Sequence, residues 1–200
     1  MTDIKLTEKQ VFVQNSALRD AAKTALMEAV ASKMAAPNKK EAQHDPLNEV
    51  IELLFFAYRD FTSDPDAILA DYDFGRAHHR VIHFVGRHPG ITVAQLLAIL
   101  GITKQSLARV LKQLVEEEYI IQKTGTRDRR QRLLHLSSKG EQLERRLSEP
   151  QRKRVSKALN QAGPEAIDTF RKTLLALINQ EDQATVEKLT GKGSTKGETS

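Results

Sequence analysis

The chain has 200 residues, with 31 Lys and Arg against 26 Asp and Glu, a net charge of +5 and a pI near 9.4, a balance that favours polyanionic partners. It contains no cysteine, which excludes disulfides, thiolate metal sites and cysteine-based oxidant sensing. No stretch reaches the roughly 18 consecutive apolar residues needed to span a bilayer, and the opening MTDIKLTEKQ lacks the apolar core of a signal peptide, so a cytoplasmic protein without membrane contact is expected.

Residues 1–44 read as an arm and linker, with helix in part. Leu18, Ala22, Ala25, Leu26, Ala29 and Val30 form one thin helical stripe behind Asn15 or Ser16, with too few large apolar groups for a module of its own. The segment PNKKEAQHDP over 37–46 is polar and bounded by prolines, as linkers are. A helix is predicted from Asp45-Pro46 to about Thr62. Its Leu47, Val50, Ile51, Leu53, Leu54, Phe55, Phe56, Tyr58 and Phe61 occupy more than one face, which implies burial on two sides, one in its own core and one against a subunit partner.

Asp64-Pro65-Asp66 and Asp71-Tyr72-Asp73 then frame a connection to a second helix, from Phe74 to about Arg87, closed by His88-Pro89-Gly90. This helix carries Arg76, His78, His79, Arg80, His83 and Arg87. His79 and His83 are four apart and share a face, a spacing that suits joint metal ligation. No cysteine or further ligand pair accompanies them, so no metal site is expected and they read as surface or anion-facing histidines.

The stretch 92–136 organises the rest. Thr92 can cap a helix whose Val93, Leu96, Leu97 and Leu100 recur at helical spacing, and Gly101 stops it. Thr103 offers a second cap, followed by Leu107, Val110, Leu111, Leu114 and Val115 on one face. The opposite face carries Lys104, Gln105, Ser106, Ala108, Arg109 and Lys112, cations and amides that suit a major-groove floor. Two helices joined by a tight turn make a helix-turn-helix, whose second helix presents its N-terminal part to base edges.

After Glu116, Glu117 and Glu118 the period becomes extended in Tyr119–Lys123, and Leu133, Leu134 and Leu136 supply a returning strand. The intervening Thr124–Gln131, with Arg127, Asp128, Arg129 and Arg130, becomes the tip of a two-stranded ribbon, a wing. Eight Lys or Arg fall between 103 and 132 against four acids, and so cationic a tip suits a minor groove. Taken singly, the helix could be any core helix and the arginine run a solvated hairpin; their immediate succession carries the DNA-reading interpretation.

Beyond the wing, Ser137 can cap a helix bearing Leu143, Leu147, Val155 and Leu159, kinked or interrupted at Pro150 and ended by Gly163-Pro164. A final helix follows, with Ile167, Phe170, Leu174, Leu177 and Ile178 as an apolar seam that needs a partner. Residues 182–200, ending in GKGSTKGETS, are expected to be a disordered tail.

The motifs in Leu107–Leu136 and Ser137-Ser138-Lys139-Gly140 resemble the winged helix-turn-helix domain of the MarR family of bacterial transcriptional regulators, and in organisation the likeness covers about residues 45–180. The resemblance implies a mainly α fold with a small β-wing. Residues 73–136 would be the winged helix-turn-helix DNA-binding domain, and 45–62 with 137–181 the helices that interleave into a homodimer. Asp128 would orient an arginine, Arg130, into the minor groove. Two positions depart from the family's pattern: Gly125 stands where an acid is frequent, and Glu118 where Gly often follows the recognition helix.

The resemblance also implies a cleft between dimer helices and reader for a small aromatic or phenolic effector, with Tyr58, His79, His83 and Arg87 as candidate lining residues. The expected function is a homodimeric repressor that binds double-stranded DNA at an inverted repeat, with half-sites one turn, about 34–36 Å, apart. Thr103, Lys104, Gln105, Ser106, Arg109 and Lys112 would meet bases or phosphates, with Arg127, Asp128, Arg129 and Arg130 at the minor groove. The other reading is a winged-helix protein-interaction module without direct DNA binding. With no phosphate loop, no nucleophile beside an evident base and no dense acidic cluster, no enzyme or cofactor is expected.

Overall fold

Side-chain oxygens set the starts of the helices around the core. Thr92 Oγ1 accepts the Gln95 N–H at 3.2 Å while Gln95 Oε1 accepts the Thr92 N–H at 2.9 Å, a reciprocal capping box. Thr103 Oγ1 accepts the Ser106 N–H at 3.1 Å, and Ser137 Oγ accepts the Gly140 N–H at 3.0 Å. In the computed structural model, which describes residues 21, 23–32, 45–125 and 131–191, these caps open three of eight helices. Residues 23–32 are helical (α1). There follow α2 (Pro46–Ala70), α3 (Arg76–Arg87), β1 (Ile91–Thr92), α4 (Val93–Leu100), α5 (Lys104–Glu116), β2 (Ile120–Thr124), β3 (Arg132–Leu136), α6 (Ser138–Ala162), α7 (Ala166–Leu177) and α8 (Gln180–Thr190). The chain divides into two compact units, 1–51 and 52–200, the division falling within α2.

The core of the second unit lies between α3, α4, α5, the sheet and the first half of α6. Val81, Ile82 and Val85 of α3 are fully buried, as are Leu96, Leu107, Leu114, Leu134 and Leu147. The sheet has three antiparallel strands in the order β1-β3-β2, with Ile91 opposite Leu134 and Ile120 opposite Leu136. The third strand is a correction to the expected two-stranded ribbon. Ile91-Thr92 is too short to show a period of two, and only pairing with β3 makes it a strand.

Helix α2 is eight residues longer than predicted and absorbs Pro65 rather than stopping before it. Proline removes one backbone donor and orphans the carbonyl four residues earlier. Here that carbonyl, of Phe61, accepts the Gln151 side-chain amide of α6 at 3.2 Å, and Arg154 pairs with Asp64 at 2.8 Å. The compensation comes from a residue 90 positions away, so local sequence does not announce it. The connection to α3 shrinks to residues 71–75, and α3 begins at Arg76 rather than Phe74.

Pro150 likewise leaves α6 unbroken over 25 residues, and residues 182–190, expected in the tail, belong to α8. Residues 192–200, 1–20 and 33–44 lie outside the described residues. Among the described residues, no helix is long and apolar enough to cross a membrane.

The expectation that α2 contributes one side to its own core holds only at its C-terminal end. Pro65 and Leu69 are buried, whereas every residue from Pro46 to Arg59 is exposed. Phe55 is 71% exposed and Leu47 70%, far beyond what an intramolecular core helix shows.

Candidate nucleic-acid interface

Helix α5 turns Leu107, Val110, Leu111 and Leu114 into the core, and the 3.6-residue period therefore throws Lys104, Gln105, Ala108, Arg109 and Lys112 outward, all exposed. Thr103 occupies the cap and Ser106 is half-buried beside it, its Oγ accepting the Thr103 hydroxyl at 2.9 Å. Of the predicted contact residues of this helix, all but the half-buried Ser106 are exposed. Lys112 shares that surface with Glu116 at 3.7 Å, an exposed pair of little energetic weight. Among the described residues, Lys104 and Arg109 have no carboxylate within 4.0 Å, so their charge is open to an external anion. The helix N-terminus adds its own partial positive charge there.

Helix α4 reaches α5 through a turn at Gly101, which adopts φ 59° and donates its N–H to Leu97 O at 3.1 Å. Arg80 of α3 donates to Leu100 O at 2.7 Å and closes the same helix end. The far end of α5 is held from α3. The Gly75 N–H donates to His78 Nδ1 at 3.1 Å, so His78 Nε2–H is free to donate to Gln113 Oε1 at 2.9 Å. Gln113 passes its amide N–H to Glu117 at 2.9 Å, and the His78 ring stacks on Phe74 with centroids 4.6 Å apart. Sequence reasoning missed this relay, because nothing in the spacing of His78 and Gln113 marks two residues 35 apart as partners.

The wing's strands are paired in full, from Ile120 opposite Leu136 to Thr124 opposite Arg132, and the Gly125 N–H donates to Gln131 O at 3.0 Å. Arg127, Asp128, Arg129 and Arg130 lie outside the described residues, between these two strands. Arg132 donates to Thr124 Oγ1 at 3.2 Å, across the last strand pair before the tip.

The four cleft candidates are dispersed along α2 and α3. His83 borders a groove of about 700 Å³, with Phe61 of α2, Gln151, Val155 and Leu159 of α6, and Ile167 of α7. Its Nδ1 lies 3.8 Å from Glu144 Oε1. Burial holds His83 below the usual histidine range, against the raising effect of Glu144, and Arg87 and His88 lower it further. Burial also lowers His79, helped by the neighbouring His83 and opposed by Asp66. Tyr58 is exposed and stands under the Arg76 guanidinium, 6.0 Å from ring to carbon, while Arg87 is exposed at the end of α3. No group of three or more His, Asp or Glu among the described residues is placed to hold a metal ion.

A three-stranded sheet, a capped helix pair with a polar outer face and a hairpin following the second helix define a winged helix-turn-helix protein. Comparison with known proteins narrows the class. A family model described as the MarR family matches residues 72–131. The chain is 52% identical over 135 residues to the HTH-type transcriptional regulator PetP of Rhodobacter capsulatus, covering 68% of this chain and 81% of that protein. Among solved structures, MarR superposes with a TM-score of 0.52 at 19% identity, covering 75% of this chain and 98% of the other. An uncharacterised SlyA-like transcription regulator from Listeria monocytogenes gives 0.55 at 20% identity, covering 72% and 96%. The chain belongs to the MarR family and is a transcriptional regulator, not an enzyme.

Proposed function

We propose that the chain is a homodimeric repressor that binds double-stranded DNA at an inverted repeat and is released by a small aromatic acid or phenol. The observation that carries the DNA reading is the outer face of α5. Lys104, Gln105, Arg109 and Lys112 are exposed together on the outer face of a helix with a capped N-terminus, and among the described residues Lys104 and Arg109 have no carboxylate within 4.0 Å. Such a face fits a major groove, with cations for phosphates and guanine edges and amides for adenine. Arg127, Asp128, Arg129 and Arg130 would extend the contact into the minor groove by the resemblance noted above.

Pairing of two chains is supported by apolar surface that one copy leaves bare: Leu47, Val50, Leu54 and Phe55 on α2, and Ile167, Phe170, Leu174 and Leu177 on α7, are 40–71% exposed. Two readers on one two-fold axis then meet successive major grooves. The groove beside His83 is large enough for a small aromatic ligand, with Phe61, Leu159 and Ile167 as apolar wall and Arg152 as a cation for a carboxylate. A regulator of this kind works in the cytoplasm, and no bound cofactor is required.

Selection of bound fragments from genomic DNA, followed by titration of one selected duplex across salt, tests the reading. Palindromic fragments and a log–log salt slope of several units are expected. Absence of salt-sensitive duplex binding would leave a winged-helix protein-interaction module as the better description. Thermal-shift screening of aromatic acids followed by operator competition tests the ligand; stabilisation without release of DNA would remove the inducer role.

A further inference from the structure

Three consecutive carbonyls end the recognition helix and its turn, those of Glu117, Glu118 and Tyr119, and all three are gripped by the first turn of α6. Lys139 Nζ donates to Glu117 O at 2.9 Å, Ser137 Oγ donates to Glu118 O at 2.5 Å, and the Ser137 N–H donates to Tyr119 O at 3.0 Å. The Lys139 ammonium also stands 4.1 Å from the centre of the Tyr119 ring, a cation–π contact. Gly140 allows the approach: a Cβ there would lie 2.1 Å from Tyr119 O. A lysine beside a DNA-reading helix would ordinarily be assigned to phosphate. This one has its charge committed to the negative end of α5 and to an aromatic face.

We infer that Lys139 and Ser137 are positioning residues for DNA recognition, forming a joint that fixes the angle between α5 and α6. The inference rests on the DNA-reading function proposed above. Its consequence follows from leverage. Helix α6 has 25 residues, about 37 Å at about 1.5 Å per residue. A change of roughly 5° at its first turn therefore displaces one end against the other by about 3 Å, close to the roughly 3.4 Å rise of one base pair. Two readers that must match grooves one helical turn apart do not tolerate that error in both half-sites. Backbone pairing alone fixes one point of the angle, the Ser137 N–H to Tyr119 O bond. The side chains of Ser137 and Lys139 supply the second and third points that a fixed orientation needs.

The test uses the whole 200-residue chain, whose lack of cysteine lets labels be placed at will. Spin labels at Gln105→Cys on α5 and Lys157→Cys on α6, both exposed, in labelled chain diluted into unlabelled chain, report the α5–α6 distance without DNA. Lys139→Met keeps the stem and removes the charge; Lys139→Arg keeps a donor and a cation. We expect Lys139→Met to shift or broaden the distance by about 3 Å while lowering the melting temperature by no more than a few degrees, and Lys139→Arg to restore the narrow distribution. On the duplex selected with the unmodified protein, Lys139→Met is expected to bind about tenfold more weakly, with half-site binding unchanged. An unaltered distance distribution would overturn the joint. Equal losses on full and half-sites would instead make Lys139 a direct DNA contact. If the unmodified protein ignores duplex DNA, the proposed function fails while the distance measurement still judges the joint.

Discussion

Replacing Glu118 by glycine should stabilise the protein. Glu118 sits at φ 63°, where the Cβ of an L-residue crowds the following carbonyl at about 1–2 kcal/mol. Its surroundings require that conformation. The Tyr119 N–H donates to Leu114 O at 2.8 Å and the Glu118 N–H to Val115 O at 3.1 Å, the paired bonds of a Schellman ending in which glycine is the usual residue. Glycine removes the steric cost but adds about 0.5–1 kcal/mol of unfolded-chain freedom, leaving a net gain of about 0.5–1 kcal/mol. Loss of one charge from the run Glu116–Glu118 at the negative end of α5 acts in the same direction. The Ser137 bond is unaffected, since it goes to the backbone oxygen. Urea unfolding at fixed protein concentration should show a higher midpoint at unchanged slope, and the melting temperature should rise by about 1–4 °C. A lower midpoint would mean that the glutamate side chain contributes something the geometry does not show, and the strain argument would fail.

Other expectations follow from particular contacts. Gln151→Leu strands the Phe61 carbonyl that Pro65 leaves without a partner and should cost about 1 kcal/mol by urea midpoint, whereas the exposed neighbour Arg152→Leu should not. Phe55→Glu places a charge on the barest part of α2; light scattering should report a shift toward single chains. Arg109→Ala should alter base preference at one position by about 1–3 kcal/mol, and Lys104→Ala should reduce the salt slope by about one on all sequences; identical binding profiles would remove α5 from the interface. His79 and His83 are held below the ordinary histidine value of 6.5, so the unfolded chain binds more protons just below that pH and stability rises with pH there. Their contribution is complete above about pH 6.5 and lost as pH falls through their depressed folded values. The double variant His79→Gln/His83→Gln should flatten that slope in acid unfolding titrations.

Much of the reader was legible because its signals are local. Thr92, Gly101, Thr103 and Ser137 act as caps and stop through residues three or four positions away, and the observed caps and stop fall on them. The apolar face of α5 was readable from its period, and the polar face followed as its complement. What escaped were features completed over long separations. Pro65 looked like a helix end because its rescuer, Gln151, is 86 positions away; β1 exists only through β3; and His78 finds Gln113 only once α3 and α5 have packed. The span 182–190 reads as tail because its composition is polar. Val186 and Leu189 are nonetheless half-buried in α8, enough of a stripe for a short helix at the end of a packed chain.

Helix α6 belongs to both halves of the proposed mechanism. Its first turn holds α5, and its middle holds α2 around Pro65 through Gln151 and Arg154. Helix α3 completes the loop, placing His83 on the groove and His78 on α5. In the proposed mechanism, a ligand in that groove would touch elements that also set the direction of the reader. Contact alone is insufficient, since a ligand moves an equilibrium only by the difference between its affinities for the two arrangements. Taking DNA-competent and incompetent forms from about 9:1 to 1:9 requires roughly an 80-fold preference, about 2.6 kcal/mol. A small aromatic acid of about ten heavy atoms gains roughly 3–15 kcal/mol in total from any site. Release thus asks for a substantial part of its binding energy to distinguish two geometries. Walls from a single rigid helix could not provide that. Phe61, His83, Leu159 and Ile167, on four different helices, could, because a change in the α6 joint alters their mutual spacing rather than moving them together.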